Sequence, residues 1–233
     1  MRHLPPMPDQ GSFPAGTRIS TTSGEVAVEE IRAGARLITP QGENVTIRQI
    51  THCKVRFPGP SQWGKPILVP AGALGGGVPV RDLVLPPGQL VGVADEAPVD
   101  LFGRADVLVP ASVLQALPGA RVMKGRKRLK LYSLSVGAPA LIYAEGTVTE
   151  TTRPVVSRLI SALTGGRLGG RVHDRAGLRV LSATEGARLI ARLRKTGDLP
   201  DRKPGKREND LLQWDNDLED ERALAARLNR KAG

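Results

Sequence analysis

Side chains able to hold a metal, move a proton or bind an anion are few and scattered in this 233-residue chain. The three histidines, His3, His52 and His173, stand far apart, and only Cys53 adjoins one of them. Neighbouring residues on a strand face opposite sides, so His52 and Cys53 do not readily bind one metal together; neither a metal site nor another cofactor is expected. No activating basic group can be assigned to Cys53, which reads as a small buried hydrophobe rather than a nucleophile. As the single cysteine it excludes an internal disulfide framework. Gly75-Gly76-Gly77 offers bare backbone amides of the kind that cradle phosphates. No Gly-Lys-Ser/Thr follows, however, and no long helix starts there, so a flexible turn is the better reading.

Charge is the more conspicuous chemistry. The chain carries a formal net charge of +11 and an isoelectric point near 10.5, which attracts polyanions whether or not the attraction is used. Arg121 to Lys130 holds six Lys or Arg and no acid, and Lys124, Arg126, Lys127, Arg128 and Lys130 are its candidate phosphate contacts. The same tract also reads as an ordinary solvated basic face. Aromatic residues are only 3 % of the chain, so stacking platforms for single strands are scarce. No protein partner is indicated.

The elements that must position these groups read as short strands. With 19 Pro and 27 Gly, the first two thirds are punctuated every few residues, and the intervening apolar runs are rich in Val, Ile and Leu. Arg18 to Thr22, Glu25 to Ile31, Ala35 to Thr39, Asn44 to Ile50, Pro66 to Pro70, Pro79 to Val84, Leu90 to Val93, Ala105 to Val109, Leu131 to Leu134 and Ala140 to Ala144 carry strand texture. Phe57 to Lys65 and Asp95 to Asp100 read as loops, and Pro110 to Leu117 as a short helix opened by proline. Beyond Glu150 the texture becomes helical, at Val155 to Leu163 and at Ala183 to Leu193, where Leu189, Ile190 and Leu193 form one stripe. A linker at Thr196 to Lys206 and a closing helix near Leu218 to Leu228 complete the reading. Glu208 to Glu221 carries seven acids and no base. The organisation expected is a flexible leader over 1–11, a mainly β domain over 12–150, a basic helical extension over 151–195, and a disordered linker with a terminal helix over 196–233. No apolar run is long enough to span a membrane and the start lacks a secretory pattern, which makes the cytoplasm the default compartment.

Ser12-Phe13-Pro14-Ala15-Gly16-Thr17-Arg18-Ile19, followed by Thr21 to Gly24 and Val28 to Gly34, resembles the opening of hedgehog/intein (Hint) domains. Pro70-Ala71-Gly72-Ala73-Leu74, Arg81-Asp82-Leu83 and Tyr143-Ala144-Glu145-Gly146 are similar to ordered motifs of a bacterial Hint subfamily, and the match runs from about Ser12 to Glu150. The resemblance implies a Hint-type twisted β fold with a basic helical tail. It also implies self-processing chemistry: a first-position hydroxyl or thiol attacks the preceding carbonyl, and a Thr-x-x-His block protonates the departing nitrogen.

Carried onto this chain, the nucleophile position is Ser12, attacking the carbonyl of Gly11. The block aligns with Pro86-Pro87-Gly88-Gln89, which places Pro86 at the threonine and Gln89 at the histidine. Proline has no hydroxyl, and glutamine neither gives nor takes a proton near neutral pH. The amide of Gln89 retains one option, donation to an oxyanion. The later catalytic strand, Ser133 to Ala140, contains nothing that titrates. The expected function is therefore a degenerate Hint domain acting as a binding or structural module. Slow autoprocessing at Gly11-Ser12 through a Ser12 ester is the enzymatic alternative, and polyanion or nucleic-acid binding is a third.

Overall fold

The computed structural model describes residues 11–57, 64–94, 96–103, 106–151, 174–175 and 178–196. The leader before Gly11, the tip of the Phe57 to Lys65 loop, the Val155 to Leu163 helix, the linker and the terminal helix lie outside the described residues.

The strands are β1 (Ser12–Pro14), β2 (Arg18–Thr21), β3 (Gly24–Ala27), β4 (Arg36–Ile38), β5 (Asn44–Thr46), β6 (Gln49–Arg56), β7 (Ile67–Val69), β8 (Leu83–Leu85), β9 (Leu90–Ala94), β10 (Asp106–Pro110), β11 (Arg121–Val122), β12 (Arg128–Ser135), β13 (Leu141–Ala144), β14 (Thr147–Glu150), β15 (Asp174–Arg175) and β16 (Leu178–Val180). A long curled sheet runs β15-β16-β10-β9-β14-β13-β2-β4-β5, with β3 paired on β2. Two smaller sheets, β1-β12-β6 and β11-β7-β8, complete the β structure. All described pairings are antiparallel except β10 with β16. The mainly β architecture expected from the sequence is present.

One core cluster gathers residues from nearly every strand. Phe13, Leu37, Val69, Leu85, Val91, Val109 and Ile142 are essentially sealed from solvent. Because aromatics are scarce, aliphatic side chains fill this core, and close backbone approach matters. A Cβ on Gly92 of β9 would stand 2.7 Å from Cβ of Val148 on β14, so only glycine lets these strands meet as closely as they do.

Helices are few. α1 (Glu96–Phe102) occupies much of the stretch read as a loop. Its Pro98 falls in the first turn, where the missing N–H costs no helical hydrogen bond. Tertiary contacts then hold it: the Arg179 guanidinium stands 5.2 Å from the Phe102 ring centre, and Arg192 reaches Asp100 at 3.5 Å. α2 (Ala111–Leu114) follows Pro110 as its spacing predicts.

α3 (Ala183–Thr196) also follows its predicted pattern, with Leu189, Ile190 and Leu193 buried. Its start is a capping box, in which Ser182 Oγ accepts the Glu185 N–H at 3.2 Å and Glu185 Oε2 accepts the Ser182 N–H at 2.9 Å. The Ser182 backbone bond is the main reason the Glu185 carboxyl sits below its ordinary value. The Ser182 hydroxyl and Arg179 add to the effect, while partial desolvation opposes it. A depressed carboxyl pKa contributes stability that is full above the unfolded value of 4.5 and is lost as pH falls through the folded one. Glu185→Gln should therefore melt below the parent protein at pH 6, and the gap should close as melts are repeated toward pH 3.

Two sequence-based expectations are corrected. Cys53 is exposed rather than buried. It lies on β6, the edge strand of the β1-β12-β6 sheet, whose residues are mostly exposed, so a residue of core type finds no core there. Among the tract residues, Arg126 is only 5 % exposed, whereas Lys124 and Lys127 are exposed and Arg128 and Lys130 half-buried. The chain turns through Lys124 and Gly125 just before β12, and the Arg126 N–H closes that turn by donating to the Met123 carbonyl.

Candidate functional site

Gly11 and Ser12 lie where the β1-β12-β6 sheet meets the end of β14 and the turn after β8. Phe13 draws β1 into the core, and the registers Ser12 to Ser133 and Phe13 to Tyr132 align it on β12. Ser12 is 1 % exposed, and its hydroxyl lies 2.6 Å from that of Ser133. The Gly11 carbonyl, which a Ser12 nucleophile would attack, faces the Leu134 N–H at the long distance of 3.5 Å.

Gln89 is brought to the same place. Pro86 closes β8, and a turn stabilised by Gln89 N–H donating to the Pro86 carbonyl at 3.0 Å directs the Gln89 side chain inward with no exposure to solvent. Its Oε1 accepts the Gly11 N–H at 2.5 Å. Its amide nitrogen donates to the main-chain carbonyls of Glu150, at 2.9 Å, and Leu90, at 3.3 Å. Gln89 thus ties the entry of β1 to β9 and β14. The bond to Gly11 falls one peptide before the Gly11-Ser12 amide, and there Gln89 is the acceptor. Both of its donors point at backbone carbonyls, away from any oxyanion.

The structure therefore joins Ser12 and Gln89 through Gly11 and leaves Pro86 as a purely conformational element. Ser133 is a partner that residue-by-residue reading did not single out. Register alone could have found it, since the first strand and the later catalytic strand must pair. Serine facing serine offers a hydrogen bond but no base. For Ser12 Oγ to attack the Gly11 carbonyl carbon, its proton must go to an acceptor, and the departing Ser12 nitrogen must gain one. Among the described residues, neither Ser12 nor Gln89 is hydrogen-bonded to an imidazole, carboxylate or amine side chain.

The remaining motif residues brace this arrangement. Glu145 and Gly146 form the two-residue turn between β13 and β14, with φ of 49° and 73°, the left-handed pair that a tight hairpin requires. The Glu145 carboxylate is 5 % exposed and takes two parallel bonds from Arg81, each 2.7 Å, plus the Arg18 N–H at 2.8 Å. Beside it, Asp82 accepts the Ala71 N–H at 3.0 Å. The Ala-Gly-Ala-Leu, Arg-Asp-Leu and Ala-Glu-Gly segments are thereby tied together. The Gly75 to Gly77 run is a turn in which all three residues have positive φ. Among the described residues, no three His, Cys, Asp or Glu gather as a metal site, and no helix is long and apolar enough to cross a membrane.

The family profile described as Hint domain matches residues 11–156. The chain belongs to this family. Among solved structures, the Hint chain is similar to the bacterial intein-like domain from Clostridium thermocellum at 18 % identity, covering 62 % of this chain and 99 % of that one with a TM-score of 0.42. It is similar to the MchDnaB-1 intein at 13 % identity, covering 60 % and 99 % with a TM-score of 0.37. It is also similar to the gp41-1 intein at 13 % identity, covering 60 % and 98 % with a TM-score of 0.35. No curated protein matches the sequence. Membership in the Hint family relates the chain to self-processing domains, and the residues around Ser12 decide what it does with that scaffold.

Proposed function

We propose that this protein is a Hint scaffold that has given up peptide-bond chemistry and serves as a binding or structural module. The observation carrying this reading is Gln89: where the family keeps a proton-donating histidine, a buried amide has all its hydrogen-bonding atoms engaged with main chain. Removing a general acid or base commonly lowers a rate by about 10²–10⁴, and here the nucleophile position is also a serine, whose hydroxyl-bonding partner among the described residues is another serine. Pro86 supplies no hydroxyl in the block threonine's place. The scaffold holds the segment upstream of Ser12 by a hydrogen bond instead of cutting it.

Intact mass followed after purification tests this. The full-length mass should persist for days at neutral pH, unaffected by hydroxylamine, and Ser12→Ala should behave the same. A species lacking Met1 to Gly11 that accumulates with time, faster in hydroxylamine and absent from Ser12→Ala, would establish slow autoprocessing through a Ser12 ester.

A further inference from the structure

The ribbon of β6 and β12 carries a feature unrelated to the Ser12 pair. In its register Arg56 stands opposite Arg128 and Lys54 opposite Lys130. Directly opposed residues of an antiparallel pair project to the same face, as do residues two apart on one strand, so these four cations share one face. Neither Gln49 to Phe57 nor Arg121 to Leu134 contains an acid. Among the described residues, none of the four forms an ion pair. Like charges directly opposite destabilise a sheet, and a ribbon that stacks two such pairs calls for an anion from outside the fold.

The form of the ribbon narrows the kind of anion. The β1 register on β12 ends at Leu131, with one further bond from the Ala15 N–H to the Lys130 carbonyl at 3.4 Å, so Arg128 and Leu129 with Val55 and Arg56 form a two-stranded ribbon that begins beside Lys130 and Lys54, the width that the roughly 12 Å major groove of B-DNA admits. The tetrad spans about 5 Å across and about 7 Å along the strands, against duplex phosphates spaced about 3.4 Å along the axis on each strand. Exposed Lys127 and Lys124 continue the positive charge beyond the tetrad. Among the described residues stacking is not offered: the aromatic ring on this face, Tyr132, is 9 % exposed and is covered by Lys130, 5.0 Å from its centre, and by His52, 5.7 Å away. A surface with cations and no open ring suits phosphates held in a duplex rather than unstacked bases. Among the described residues, no large apolar side chain is exposed there to enter a lipid layer.

We propose that Lys54, Arg56, Arg128 and Lys130 form a docking surface for the phosphate backbone of duplex nucleic acid, without base-specific readout. This inference does not depend on the loss of cleavage at Ser12, and a self-cutting protein could still show it.

Fluorescence anisotropy of the full chain with labelled DNA duplexes of two unrelated sequences tests the proposal. Both should bind alike, with a tetrad contribution of about four contacts that steepens the salt slope by about 3 to 4, equivalent to an affinity loss on the order of 10² between 50 and 200 mM salt. Replacing all four residues by glutamine should remove that part of the slope and weaken binding at 50 mM salt at least tenfold. The thermal melt should be no lower, because the exchange removes repulsion. Lys130→Glu, which sets a carboxylate opposite Lys54, should weaken binding while stabilising the ribbon. Arg188, Arg192 and Arg194 replaced together by glutamine on α3 should leave the tetrad's share of the slope intact. Absent or salt-insensitive duplex binding, an unchanged slope in the four-residue variant, tighter binding to single strands, or capture by anionic lipid vesicles in place of duplex would each overturn the proposal.

Discussion

Glu145→Ala is expected to destabilise the protein by about 3–5 kcal/mol, the usual cost of breaking a buried ion pair from one side. The carboxylate is almost fully buried and accepts three charge-assisted or backbone bonds, two from Arg81 and one from Arg18 N–H. Removing it strands a guanidinium that is itself three-quarters buried, and the Arg18 N–H loses its partner. The backbone offers a control. Because Glu145 has φ of 49°, Glu145→Gly relieves about 1–2 kcal/mol of left-handed strain that alanine retains, so glycine should cost less than alanine by that margin. Adding Arg81→Ala to Glu145→Ala should cost less than the separate losses together, since the second change removes the stranded charge. Urea unfolding midpoints of the four variants check each comparison, and additivity of the two alanine changes would show that the pair does not couple.

Gln89→Leu is the second large expectation, a loss of about 3 kcal/mol or more. The side chain is completely buried, and a leucine of similar volume would leave the Gly11 N–H and the Glu150 and Leu90 carbonyls without the partner they have now. Each buried group left unsatisfied costs about 1–3 kcal/mol. The loss has a location as well as a size. Amide exchange at Gly11 should accelerate in Gln89→Leu more than exchange in the distant β4 and β5 strands, because the clamp on the entry of β1 is gone. A variant as stable as the parent would mean that water or relaxation meets those groups. The residue would then be an occupant of the old catalytic position rather than its keystone.

These two residues also show where sequence reading reaches its limit. Glu145 and Gln89 were both visible as motif positions, one retained and one substituted. The missing proton donor could be read directly, since the identity of a side chain determines whether it can titrate, whatever surrounds it. Strand texture was similarly legible, because alternation and Gly/Pro punctuation are local: most of β2 to β14 fall on or beside the runs that predict them. The capping box and apolar stripe of α3 are local as well.

Other properties arise between segments distant in the chain. β6 extends six residues past its last alternating apolar position because β12 supplies its hydrogen bonds, and this extension exposes Cys53. α1 forms in an acidic, proline-containing stretch because Phe102 and Asp100 meet partners on β16 and α3. The basic tract looked like one continuous patch, yet folding withdrew Arg126 and paired Arg128 and Lys130 with Arg56 and Lys54 from seventy residues away. Composition and short-range pattern determine which chemistry a chain possesses and which segments extend or coil. Cross-strand register and burial depend on long-range pairing, and they alone decided which groups face one another: serine against serine, glutamine against backbone, and cation against cation.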